Sequence, residues 1–232
     1  MDKFLNRITY LDAIDGMKKL PCDSIDLICI DPPYEINYVE WDKQCLNWFD
    51  LSKCFLRLLK NTGNLIVFQG WSNVTKTISK LEQYFNLEDW IIYDRIKGRG
   101  AKRHLVSTRE DILWFTISKN YTYNKIYSNI PKKTKGMGEK NGQQNRALSN
   151  VWTDISPIVP WSKERVNHPT QKPLQLIKRI ITIFSNESDT ILDCFSGSGT
   201  VASACKELNR NFICFDNNKD YVKISKERIK NG

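Results

Sequence analysis

The first 95 residues alternate two hydrophobic patterns. Short apolar runs, "ITYL", "SIDLICI", "GNLIVF" and "LEDWIIYDR", are separated by "AIDGMKKL", "CLNWFDLSKCFLRLLK" and "NVTKTISKLEQYF", where apolar residues recur every three or four positions. The runs predict buried strands and the spaced stretches amphipathic helices. Strand and helix in alternation imply a parallel sheet covered on both faces. "NTG" closes the second helix before the next strand. Residues 110–117, "EDILWFTI", predict one more strand, which "YTYN" extends or pairs with. From 119 to 165 the periodicity is lost among Lys, Asn, Gln, Gly and Pro, which predicts a loop-rich insert ordered by a partner. The pattern then returns: "PLQLIKRIITIFS" as helix, "DTILDCF" as strand, "GTVASACKELN" as helix, "NFICFD" as strand and "NNKDYVKISKERIKNG" as closing helix. The chain thus divides at 1–118, 119–165 and 166–232, with no internal repeat.

At 232 residues there is room for one substantial domain and a lobe. Apolar content of 41% excludes a globally disordered chain. No apolar run nears the roughly 18–20 residues that span a bilayer, and "MDKFLNRITY" lacks a secretion signal's core, so a cytoplasmic protein without membrane partners is expected. The seven cysteines form no CxxC pair and read as reduced, packed thiols; no metal site is expected. Charge changes the picture more. Between Arg95 and Asn150 there are 13 Lys or Arg against 3 Asp or Glu, and the rest of the chain holds 22 against 23. A neutral body with one strongly basic segment is what polyanion binding requires.

Two short stretches carry candidate chemistry. In "DTILDCFSGSGTVASACKELNRNFICFD", Gly197, Gly199 and Ala202 have G-x-G-x-x-A spacing between a strand and a helix, and Asp216 ends the next strand. Such a loop lets backbone approach a nucleotide, and the later acid can take ribose hydroxyls. A nicotinamide dehydrogenase would need several strands after its acid, and only 16 residues follow Asp216. The rest of the sheet must therefore come from upstream. The second stretch is Asp31, Pro32, Pro33 and Tyr34 after "SIDLICI". The prolines fix an extended corner at the strand's carboxyl end, where open α/β sheets bind ligands. It presents the Asp31 carboxylate and the Pro32 carbonyl as paired acceptors beside the Tyr34 ring. Two acceptors suit a planar ring amino group, and the aromatic face suits a base rotated out of its stack.

"DPPY", "HPTQKP" and "DCFSGSGT", in this order, resemble the S-adenosylmethionine-dependent DNA amino-methyltransferases, in the permuted (beta) group where the catalytic turn precedes the cofactor loop. The resemblance covers nearly the whole chain and implies a Rossmann-like, doubly wound, mostly parallel sheet of seven strands. It implies S-adenosylmethionine as cofactor, with Phe195, Gly197 and Gly199, and Asp193 beneath them, at its methionine end, Ser198 also binding it and Thr200 opening the next helix. Asp216 would take the ribose hydroxyls, although many relatives have Glu there. Asp12 and Ala13 would meet the adenine ring, Asp12 accepting from its amino group. His168, Thr170 and Lys172 are similar to the turn that holds the cofactor's carboxylate. Adenine N6 is the implied target, since the family's cytosine members usually have Ser where Asp31 stands. The alternatives are cytosine N4, an RNA substrate, or a methyltransferase-like DNA-binding subunit without activity. For the basic segment, Arg95, Lys97, Arg99, Lys102, Arg103, Lys132, Lys133 and Lys135 are the expected phosphate contacts, and Gln143, Gln144, Asn145 and Arg146 the expected base readers of duplex DNA. A homodimer and a cognate restriction endonuclease are the further partners the resemblance allows.

Overall fold

The computed structural model describes residues 1–34, 46–99, 103, 105–131 and 145–231. The first strand, β1 (Arg7–Tyr10), leads to α1 (Ala13–Met17), β2 (Ile25–Ile30), α2 (Trp48–Leu58), β3 (Leu59–Gln69) and α3 (Val74–Leu81). The chain continues through β4 (Asn86–Arg99), β5 (Ser107–Thr116), β6 (Tyr127–Pro131), β7 (Asn145–Ala147) and β8 (Val151–Trp152). It closes with α4 (Leu174–Phe184), β9 (Thr190–Asp193), α5 (Thr200–Glu207), β10 (Asn211–Asp216) and α6 (Lys219–Asn231). One sheet, in the order β1-β10-β9-β2-β3-β5-β4-β8, unites both ends of the chain. Strands β1, β10, β9, β2 and β3 are mutually parallel, and β5 runs antiparallel between β3 and β4.

The apolar runs are buried on both faces, as parallel strands beneath two helical layers must be. Leu27, Cys29, Ile66 and Ile191 face one core with Ile177, Ile180 and Ile181 of α4. Ile28, Ile30, Leu65 and Leu192 face the other with Phe55 and Leu58 of α2. Full burial of each such side chain contributes about 1.5–3 kcal/mol.

The insert differs from expectation. Residues of "YTYN" do not extend β5. They fold back over it, Tyr121 edge-on to Trp114 at 5.1 Å between ring centroids and Tyr123 stacked on the same indole at 5.6 Å. The Asn124 amide then donates to the carbonyls of Thr182 and Ser185 at the end of α4. Further on, β6 pairs with β7 as a two-stranded ribbon. The sheet has eight strands because Val151 and Trp152 pair with Ile92 and Tyr93 of β4. Loop composition concealed that pairing, which buried Trp152 secures by donating its indole N–H to the Ser149 carbonyl at 2.7 Å. No described helix is long and apolar enough to cross a membrane.

Candidate active site

Two loops leave the carboxyl edge of the sheet side by side. Strands β2 and β9 are direct parallel neighbours, Leu27 opposite Ile191 and Ile28 opposite Leu192. Adjacent strands lie about 4.8 Å apart, so the turn after Ile30 and the loop after Asp193 start within one crevice. That crevice is a cavity of about 420 Å³, in the range that takes a small cofactor. Asp31 and Pro33 line it together with Asp12, Ala13, His168, Thr170, Lys172, Asp193, Phe195, Gly197, Ser198, Thr200 and Asp216. Pro32, Tyr34 and Gly199 are not among its lining residues.

The turn at Asp31–Tyr34 is held from several sides. The Tyr34 hydroxyl donates to Asp31 Oδ1 at 2.6 Å, and Lys172 Nζ donates to Asp31 Oδ2 at 2.6 Å. Asn73 Nδ2 donates to the Tyr34 carbonyl at 2.6 Å. Burial, then the Asp31 and Glu110 carboxylates, hold the Tyr34 phenol well above its usual pKa, so it stays protonated and keeps donating. Tyr34 therefore serves Asp31 through its hydroxyl, a contact the sequence did not reveal.

In the glycine loop Gly197 and Gly199 have φ of +43° and +72°, where side chains with a Cβ are disfavoured. A Cβ on Gly197 would sit 2.8 Å from His168 Nε2 and narrow the cavity. Asp216 fixes this loop: its Oδ2 accepts from the Gly197 N–H at 2.7 Å and its Oδ1 from the Asn218 N–H at 2.8 Å. Each oxygen retains a lone pair, which leaves capacity for a ribose hydroxyl. Asp193 accepts from the Phe195 N–H at 3.0 Å, and burial raises its pKa well above the carboxylate range. Arg228 of α6, which no motif marked, donates to the Ser198 carbonyl at 3.2 Å and to Thr200 Oγ1 at 2.9 Å.

Several of the expected site residues also make contacts within the protein. Asp12 Oδ1 accepts from the Ile14 and Asp15 N–H groups, so this residue first caps α1. Lys172 Nζ pairs with Asp31 and lies 3.5 Å from Glu110 Oε1. Burial lowers the pKa of its ammonium, but the Asp31 and Glu110 carboxylates outweigh that and the net shift is upward. Arg95 lies 3.8 Å from Glu110 and donates to the Ser107 and Thr108 carbonyls, which ties an expected phosphate contact to the protein itself. Lys97 and Arg99 belong to β4, Arg99 pairing with Ser107 of β5, and Arg103 is exposed. Asn145 pairs with Pro131 in the ribbon, and the Arg146 carbonyl accepts from Ser128 Oγ. Lys102, Lys132, Lys133, Lys135, Gln143 and Gln144 lie outside the described residues. Among the described residues no group of acidic, His or Cys side chains could hold a metal ion.

Burial lowers the His168 pKa from 6.5 to about 4. A histidine whose folded pKa is depressed contributes stability that is complete above about 6.5 and lost as pH falls toward 4. Denaturant midpoints of wild type and His168→Gln should therefore draw together as pH drops through that window. A gap independent of pH would disprove the assignment.

The cavity tests well for S-adenosylmethionine. Its glycine loop leaves room where a Cβ would intrude, and the buried Ser196 Oγ on its wall has no hydrogen-bond partner among the described residues. Asp193 ends β9 and Asp216 ends β10, and the latter stands where nucleotide-binding α/β sheets place an acid for ribose hydroxyls. Fold and cavity together define an S-adenosylmethionine-dependent methyltransferase of the α/β class. The chain belongs to the N6_N4_Mtase family, described as DNA methylase, whose model matches residues 25–227. It is 36% identical to the Type II methyltransferase M.HpaI of Haemophilus parainfluenzae, over 96% of this chain and 74% of that protein. It is 33% identical to the DNA adenine methyltransferase YhdJ of Escherichia coli (strain K12), over 96% and 82%. The M1.HpyAVI–SAM complex superposes with a TM-score of 0.67 at 30% identity, covering 96% of this chain and 98% of that one. The cytosine-N4-specific PvuII DNA methyltransferase, 18% identical, shares the fold at a TM-score of 0.71 over 95% and 85%.

Proposed function

We propose that the protein methylates the exocyclic N6 of adenine in a short sequence of duplex DNA, with the base rotated out of the helix into the crevice. The observation that carries this reading is the shared cavity of Asp31 and the glycine loop. S-adenosylmethionine, when bound, supplies an electrophilic methyl group. Asp193, Phe195, Ser198, Gly197, Thr200 and Asp216 would hold it, with His168 and Thr170 from the facing turn and Asp12 and Ala13 at the far end. Asp31 and the Pro32 carbonyl would accept the two hydrogens of the target amino group. Accepting both favours a pyramidal nitrogen whose lone pair is free to attack in line. Much of the acceleration then comes from positioning and fixed polarity, each worth several kcal/mol.

Adenine rather than cytosine is supported by Asp31 in the catalytic turn and by the relative named as a DNA adenine methyltransferase. The basic stretch from Arg95 to Arg146 would bind the DNA backbone, and its Gln and Asn residues would read base edges. A homodimer and a partner endonuclease belong to the same reading, as does a cytoplasmic location where DNA is at hand. Duplex DNA incubated with labelled S-adenosylmethionine and digested to nucleosides should yield N6-methyldeoxyadenosine. Label in N4-methyldeoxycytidine, or in RNA alone, would overturn the choice of target.

A further inference from the structure

Lys172 occupies a closed setting. It is only 7% exposed, and its Nζ lies 2.6 Å from Asp31 Oδ2, 3.3 Å from Tyr34 Oη and 3.5 Å from Glu110 Oε1. An ammonium has three N–H donors, and here three oxygens surround it. The rings of Phe68 and Tyr34 stand below, 5.2 and 5.4 Å from Nζ to their centroids. Four separate parts of the chain thus meet at one charge: the turn after β2, the end of β3, Glu110 of β5 and the turn before α4. Glu110 is itself held on its outer side by Arg95.

We propose that Lys172 is a positioning residue for the catalytic turn, fixing the Asp31 carboxylate as an oriented acceptor for the target amino group, and that Glu110 fixes Lys172. This rests on the functional reading above and gives that site two working residues beyond the turn itself. Lys172 and Tyr34 each take one Asp31 oxygen, so the carboxylate cannot rotate, while one lone pair on each oxygen stays available to the substrate. Glu110 balances the ammonium from the side away from the cavity, for Glu110 does not line it whereas Lys172 and Asp31 do.

The contrasting role is a contact to the cofactor's own carboxylate, and kinetics separates the two. Lys172→Gln should lower kcat about 100-fold, with KM for DNA and the calorimetric Kd for S-adenosylmethionine without DNA within about threefold of wild type. Lys172→Arg, which keeps the ion pair, should restore at least about tenfold of that loss. Glu110→Gln should lower kcat about tenfold, and the double variant should fall no further than Lys172→Gln alone, since both act through one linkage. If Lys172→Gln does not fold, Glu110→Gln carries the test by itself, and an unchanged kcat there overturns the assignment. A Kd for S-adenosylmethionine weakened more than tenfold, with kcat unchanged at saturation, also overturns it and moves Lys172 to the cofactor. Wild-type protein that forms no methyladenine would defeat the functional reading and this one together. Active wild type with unaltered variants defeats this one alone.

Discussion

Alanine in place of Asp31 should reduce methyl transfer by about 10³-fold or more, while S-adenosylmethionine binds within a few-fold of wild type. Asp31 is the only carboxylate of the catalytic turn, and the Tyr34 hydroxyl and Lys172 ammonium both aim it. Removing one acceptor leaves the target nitrogen with a single partner, the Pro32 carbonyl, and its lone pair stays conjugated with the ring. The fold should survive. Lys172 retains Glu110 as a counter-ion, so the substitution does not strand a buried charge. Asp31→Asn, which keeps the shape but presents an N–H where an oxygen stood, should be nearly as inactive. Single-turnover assays with calorimetric cofactor binding on the same preparations provide the check. Activity within tenfold of wild type in Asp31→Ala would remove that residue from the chemistry.

The second large effect is expected on binding and stability. A Cβ at Gly199 would sit 2.6 Å from Ser225 Cβ and 3.1 Å from Ser225 Cα, and φ there is +72°. Both the strained backbone and the contact with α6 oppose a side chain, each at about 1–3 kcal/mol. Ser225 is fully buried, so the loop rather than the helix must yield. Gly199→Ala should therefore melt several degrees lower and lose about tenfold or more in S-adenosylmethionine affinity, because the displaced loop no longer presents Ser198 and Thr200 to the cavity. Gly197→Ala offers the contrast. Its φ of +43° keeps the backbone strain, but its Cβ would meet the His168 ring at the cavity instead of α6, so affinity should suffer more than stability. Equal melting temperatures for wild type and Gly199→Ala would refute the packing argument.

These expectations rest on features of unequal visibility in the sequence. Strands β2, β3, β9 and β10 read directly as apolar runs because both their faces are covered. The two corners were legible for a related reason. Gly or Pro alone ends many strands, but a carboxylate followed by two prolines and an aromatic in "DPPY", and G-x-G-x-x-A spacing between a strand and a helix in "SGSGTVA", are specific patterns. Glu110 was invisible, because nothing in "REDILWF" distinguishes a glutamate facing a lysine 62 residues away from one facing water. Arg228 was hidden likewise on the polar, charged α6. The insert was misread where two residues sufficed to pair with the sheet, since Val151 and Trp152 are too few for any periodicity.

The central place of β9 has a consequence during synthesis. Strand β2 emerges near the start of translation, yet its neighbour on one side, β9, is made about 160 residues later. At roughly 5–20 residues per second this interval is on the order of ten seconds. Throughout it, β2 carries an open, apolar rim with unsatisfied amide and carbonyl groups, a template for pairing with other nascent chains. Yield in the host should accordingly hinge on chaperone capacity at the ribosome more than on the finished molecule's thermodynamics.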